Sequence, residues 1–115
     1  MAKLKLNYVE LPVTDSELAA SFYEKAFGVD FERFGPTYAG TVKAHADLGL
    51  DGDSHLTAPL PNFETDDLEG ALEQIEAAGG KIVHPIFEFP GGRRFHFADP
   101  DGHVIGVWQP AEEDD

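Results

Sequence analysis

The chain has 115 residues, 42% of them hydrophobic, and a formal net charge of −14. That length suits one domain with a real core, and so acidic a surface makes nucleic acid and anionic membranes poor partners. With no cysteine, disulfides and thiolate chemistry are excluded, and zinc could use only His and carboxylates.

The first residues alternate in hydropathy and contain no long apolar run. Neither a signal peptide nor a membrane span is expected, and the cytoplasm is the default compartment. Residues 4–13 read as a strand. Leu4, Leu6, Tyr8 and Glu10 share one face by the period of two, and Val9, Leu11 and Val13 share the other. Pro12 marks an edge or an end. Thr14 and Glu17 fit a capping box for a helix over residues 15–27. Leu18, Phe22 and Ala26 form its apolar stripe, and Gly28 suits the position after its end. Residues 29–34 suggest a short strand, broken by Gly35 and Pro36. Residues 37–48 suggest two more, turning near Gly40. Residues 49–54, with Asp51-Gly52-Asp53, read as a loop and the mid-chain boundary.

The pattern then returns. Residues 60–65 suggest a strand, and Asp66 with Glu69 a helix start. Leu68, Leu72 and Ile75 form an apolar helical face, ended by Gly79 and Gly80. Leu68 and Leu72 follow Leu18 and Phe22 by 50 residues. Residues 81–89 read as a strand and 90–92 as a turn. A hairpin over residues 93–108 closes the chain around Asp99, Pro100 and Gly102, a type I turn by its residues. Each half is therefore strand, helix and about three strands, a duplicated βαβββ unit. The division is expected at about 1–50 and 55–110, within a single domain over residues 1–115.

Leu11-Pro12-Val13-Thr14-Asp15, Phe22-Tyr23-Glu24-Lys25-Ala26-Phe27-Gly28, Ala77-Ala78-Gly79-Gly80-Lys81 and Asp99-Pro100-Asp101-Gly102-His103-Val104-Ile105 together resemble the vicinal oxygen chelate superfamily of glyoxalases, bleomycin-resistance proteins and extradiol dioxygenases. The resemblance implies an α+β fold in which two βαβββ modules form an open, U-shaped barrel. Helices lie on its convex face, a ligand sits in the concave cleft, and the protein pairs as a homodimer. It also implies a divalent metal for the enzymes of the group, held by His, Glu or Gln on the first and last strands of each module. Those positions fall here on Tyr8, Leu60 and Gly106, with the fourth near residues 45–48. A phenol, an alkyl chain and a glycine make a poor donor set, so no metal or other cofactor is expected.

The candidate site residues follow from the strand faces. Glu10 shares the face of Tyr8 and is a candidate general base; otherwise it is a carboxylate hydrogen-bonded to a neighbouring strand or Arg. Trp108 beside Gly106 makes a flat wall with space in front of it, suited to an aromatic or amphipathic ligand. The alternative for Trp108 is a core position at a dimer seam. Asn62 joins Leu60 on the ligand-facing side of its strand. Arg93 faces the cleft, opposite Trp108, if the hairpin has no bulge. One bulge turns Arg94 and His96 inward instead. His84 and His96 could be neighbours across strands, whereas His45, His55 and His103 are scattered. The expected function is a metal-free cleft binding a small molecule. The alternative is a metal-dependent lyase, isomerase or dioxygenase with displaced ligands such as Glu10 and a His.

Overall fold

The computed structural model describes residues 1–42 and 46–112. Among them the elements run β1 (Lys5–Pro12), α1 (Ser16–Phe27), β2 (Glu32–Arg33), β3 (Tyr38–Gly40), β4 (Asp47–Asp51), β5 (Leu60–Glu64), α2 (Leu68–Ala77), β6 (Lys81–Phe89), β7 (Gly92–Ala98) and β8 (Val104–Pro110). The order is βαβββ twice, as the repeat implied. Two compact units result: Asn7–Leu60, and Met1–Leu6 with Pro61–Asp115. The division thus falls after Leu60 rather than at residues 50–55, and the first six residues join the C-terminal unit.

In the Asn7–Leu60 unit the strands lie in the order β2-β3-β4-β1. β1 and β4 are parallel, whereas β2 with β3 and β3 with β4 pair antiparallel. One face carries Leu48 and Leu50 of β4, Ala39 of β3 and Leu11 of β1, and helix α1 packs there through Ala19, Ala20 and Tyr23. Asp15, not Thr14, caps the helix: its Oδ1 accepts from the amides of Glu17 at 3.0 Å and Leu18 at 3.1 Å. Gly28 ends it at φ +69°, a conformation that glycine adopts without a Cβ penalty.

The expected stripe of α1 is corrected. Leu18 is 70% exposed and Phe22 61%, whereas Ser16 and Ala20 are buried. Small residues let the helix sit close to the sheet, and the two larger ones are left outside. The strand expected over residues 29–34 shrinks to Glu32–Arg33. The Phe31 amide turns back to Glu24 Oε2 at 3.1 Å, and the Arg33 guanidinium forks onto Glu17 and Glu24. Residues 49–51 extend β4 instead of forming a loop, because Gly49 pairs with Glu10 and Gly40, and Leu50 is fully buried.

In the other unit the order is β5-β8-β7-β6, with β5 and β8 parallel and the rest antiparallel. Leu68 and Ala71 of α2 meet Phe95, Val107 and Ala2, with Leu72, Ile75, Ile82 and Phe97 packed around them. This apolar face of the helix is the expected one. Asp67 rather than Asp66 supplies its cap, accepting from the Gly70 amide at 3.0 Å. Ala2 is fixed by a reciprocal pair: its N–H donates to Gln74 Oε1 at 3.0 Å, and its carbonyl accepts from Nε2 at 3.1 Å.

The final hairpin contains the bulge. The Asp99 amide donates to the His103 carbonyl, the Gly102 amide to that of Asp99, and Gly102 takes φ +89°. A type I turn followed by a left-handed glycine adds one residue to the loop. The strands consequently pair Arg94 with Trp108 and His96 with Gly106.

Candidate functional site

Each unit presents a sheet face opposite its helix. In the Asn7–Leu60 unit that face carries Tyr8 and Glu10 of β1, Tyr38 of β3, and Asp47 and Gly49 of β4 by register. Glu10 is 4% exposed. The Tyr38 hydroxyl donates to Glu10 Oε2 at 3.0 Å, and the hydroxyls of Tyr8 and Tyr38 are themselves hydrogen-bonded. Gly49 explains how they fit: a Cβ there would collide with both phenolic oxygens. Burial, reinforced by the nearby charge of Glu10, raises the Tyr38 phenol well above the usual range, so it keeps its proton. Tyr38 and Gly49 were not among the sequence candidates. The alternation of β3 held the signal for Tyr38, and the face of Gly49 depended on reading β4 as a strand.

In the other unit the face carries Asn62 of β5, Gly106 and Trp108 of β8, Arg94 and His96 of β7, and His84 and Phe87 of β6. Arg94 lies over two rings, with Cζ 5.1 Å from the centroids of both Phe87 and Phe89. Phe89 meets Trp108 edge-on at 6.3 Å, Phe87 meets His96 edge-on at 5.6 Å, and His84 lies 4.2 Å from Phe87. The result is a continuous aromatic surface around one guanidinium. Burial pushes the His96 imidazole down to about 4, aided by the positive charge of Arg94 and the neighbouring His84 imidazole. His96 is therefore neutral at neutral pH, and its buried Nε2 has no hydrogen-bond partner among the described residues. Phe87 and Phe89 were also missed, because register shifts within β6 between Ile82 and Phe87 break the simple alternation.

Two expectations for this face are corrected. Arg93 does not share it. Arg93 lies on the helix side, forked onto Glu69 of α2 at 2.6 and 3.0 Å. The space before Gly106 is not open to a ligand either, because a Cβ there would collide with Asn62 Oδ1. Asn62 itself is 2% exposed and Leu60 1%. Of the scattered histidines, His103 caps the hairpin turn with Asp99 at 3.0 Å, His55 is exposed in a loop, and His45 lies outside the described residues.

The sequence profile of the glyoxalase/bleomycin resistance protein/dioxygenase superfamily matches residues 5–107. The chain belongs to this superfamily. The putative glyoxylase CFP32 of Mycobacterium tuberculosis is 26% identical over 117 aligned residues, covering 90% of this chain and 44% of that protein. The anthracycline biosynthesis protein DnrV of Streptomyces peucetius is 32% identical over 68 residues, or 56% of this chain and 25% of that protein. The chain thus spans less than half the length of these relatives. A superfamily member from Vibrio splendidus superposes with a TM-score of 0.71 at 18% identity, covering 93% and 99% of the two chains. That likeness carries the fold, which is α+β and glyoxalase-like.

The superfamily's metal positions can be tested against these side chains. In β1, the Tyr8 oxygen is engaged with Tyr38. The fourth position, expected near residues 45–48, lies partly outside the described residues. Leu60 offers only carbon, and the space at Gly106 is filled by Asn62. Tyr8, Leu60 and Gly106 do not by themselves supply the several converging nitrogen or oxygen ligands that a divalent ion needs. Among the described residues, the one group of three His or carboxylate side chains close enough to share an ion is Asp99, Asp101 and His103. There Asp99 already accepts from the amides of Asp101 and His103, so this is a capped turn.

Proposed function

We propose that the protein is a small-molecule binding member of its superfamily, taking a planar aromatic or amphipathic ligand without a divalent metal. The observation that carries this reading is the Arg94 guanidinium stacked on both Phe87 and Phe89 beside Trp108. A guanidinium over ring faces holds the rings in place and presents a broad π surface, on which a flat ligand gains stacking and desolvation together. The neutral His96 ring, edge-on to Phe87, extends this surface without adding a charge. The similarity to DnrV, named for anthracycline biosynthesis, supports an aromatic ligand class. The protein is proposed to work as a homodimer.

Trp108 is the single tryptophan, so its fluorescence reports on this face. Titration with anthraquinone-2-sulfonate is expected to quench it saturably. Phe87→Ala with Phe89→Ala should weaken binding at least about tenfold while the fold is kept by circular dichroism. Purified protein should hold well under one metal per chain, and a chelator should leave its melting temperature unchanged. One tightly held equivalent of metal, lost on Glu10→Ala, would overturn this reading in favour of a metal-dependent lyase, isomerase or dioxygenase. Light scattering that returned only the 12.5 kDa monomer would remove the dimer.

A further inference from the structure

The end of the β6–β7 hairpin holds a cavity that the aromatic face does not account for. Its volume is about 380 Å³, and Glu88, Phe89, Arg93, Pro110, Ala111 and Glu112 are among the residues that line it. Its walls are pinned. Gly92 pairs with both Phe89 and Pro110, and a Cβ there would collide with the Gln109 carbonyl. Past β8 the chain is held in place, because the Ala111 amide donates to the Gly91 carbonyl at 2.9 Å. The Gln109 side-chain oxygen accepts from the Leu68 amide at 3.0 Å.

Charge decides what the cavity can take. Arg93 is the one cation in its lining among the described residues, and Glu69 occupies both terminal nitrogens of that guanidinium at 2.6 and 3.0 Å. Glu88 stands opposite Arg93 in the sheet register. Neither Glu88 nor Glu112 has a side-chain hydrogen bond or ion pair within hydrogen-bonding distance among the described residues. Three carboxylates thus accompany one guanidinium, and the cavity is anionic. An anion would meet repulsion and a cation already committed to Glu69. A metal ion is served no better. Among the described residues, Glu88 and Glu112 belong to no set of three His or carboxylate side chains close enough to share one, and a hard divalent cation needs several converging oxygens. An organic ammonium group asks for less. It offers three donors to whatever acceptors are near, and Phe89, Pro110 and Ala111 give its carbon skeleton an apolar wall.

We propose that this cavity binds a small organic cation, an ammonium group on an apolar or aromatic body. Glu88 and Glu112 supply the counter-charge, and Phe89 supplies the surface on which the body packs. The net charge of −14 draws such cations toward the whole chain; the cavity gives them one place to stop. The Phe89 ring also belongs to the aromatic face, but the cation site does not depend on a ligand there.

The test is a titration of the full chain with benzylammonium, benzyl alcohol and phenylacetate, followed by backbone amide shifts in NMR. Benzylammonium should bind saturably, with shifts centred on Gly91, Gly92 and Ala111. Benzyl alcohol has the same shape without the charge and should bind at least about threefold more weakly. Phenylacetate should leave these amides unmoved. Glu88→Gln and Glu112→Gln should each weaken benzylammonium about two- to fivefold, as loss of one exposed ion pair does. Glu32→Gln, an exposed carboxylate of the other unit, should leave its affinity unchanged. Equal binding of the ammonium and the alcohol, or an unchanged affinity in either Glu88→Gln or Glu112→Gln, would overturn the proposal. So would a loss on Glu32→Gln as large as that on Glu88→Gln, which would mean that the acidic surface as a whole attracts the cation. Neither Trp108 nor anthraquinone-2-sulfonate enters this readout, so failure here and failure of the aromatic face are told apart.

Discussion

Leu68→Ala tests the core most directly, with Leu18→Ala as its partner. The two leucines occupy matching places in the duplicated pattern, yet Leu68 is 0% and Leu18 70% exposed. Leu68 is enclosed by Ala2, Ala71, Phe95 and Val107. Removing its isobutyl group loses transfer free energy and leaves a cavity lined partly by a fully buried phenyl ring that cannot easily collapse. Such changes cost about 2–5 kcal/mol. For a chain of this size each kcal/mol lowers Tm by roughly 3–6 °C, so a fall of at least about 6 °C is expected. Leu18→Ala removes a side chain that is mostly in water and should stay within about 0.5 kcal/mol. Urea titrations followed by far-ultraviolet circular dichroism, with Tm from a parallel thermal scan, measure both. Equal losses from the two variants would refute the assignment of the buried face of α1.

The pH dependence of stability should carry the signature of His96. Its folded pKa is about 4, against 6.5 for a free imidazole. As pH falls below about 6.5 the unfolded chain takes up a proton that the native state refuses. The contribution is thus present above that pH and lost progressively toward 4; His96→Phe should flatten the slope across this window. Gly49→Ala and Gly106→Ala should each cost about 1–3 kcal/mol by overpacking. The first should be relieved by adding Tyr8→Phe with Tyr38→Phe, and the second by Asn62→Ala, in denaturant double-mutant cycles. Asp15→Ala should cost about 0.5–2 kcal/mol through loss of the helix cap, with Thr14→Ala near zero by the same measurement.

Much of the architecture was legible because it rests on local rules. The β6 span, Gly28 at the end of α1, the apolar face of α2 and the doubled βαβββ order all follow from periodicity and turn chemistry. The helix α1 was misread at its faces for a physical reason. Leu18, Phe22 and Ala26 form a valid stripe, but so do Ser16, Ala19, Ala20 and Tyr23. Hydrophobicity favours the first, whereas close approach to the sheet favours the second. Strand faces around the hairpin were equally undetermined until the loop was known to hold one extra residue. Gly102 in the left-handed region supplies it, and with it Arg94 and His96 exchange faces with Arg93. The cross-strand partners Tyr38, Phe87 and Phe89 needed register, and the shifts in β6 hide that from any fixed period.

The seating of Ala2 against Gln74, 72 residues away, bears on how the chain folds as it is made. The Asn7–Leu60 unit draws on contiguous sequence and can close as soon as β4 has left the ribosome. The other unit needs residues 1–6 as well as the stretch that follows residue 60. Its first six residues must wait for α2, and then for β8, which ends at Pro110. At ordinary synthesis rates, the stretch from residue 60 to residue 110 takes roughly 3–10 s. Throughout that interval residues 1–6 wait without the partners that they meet in α2 and β8. Any segment joined directly to residue 1 would be carried into the last step of assembly rather than the first.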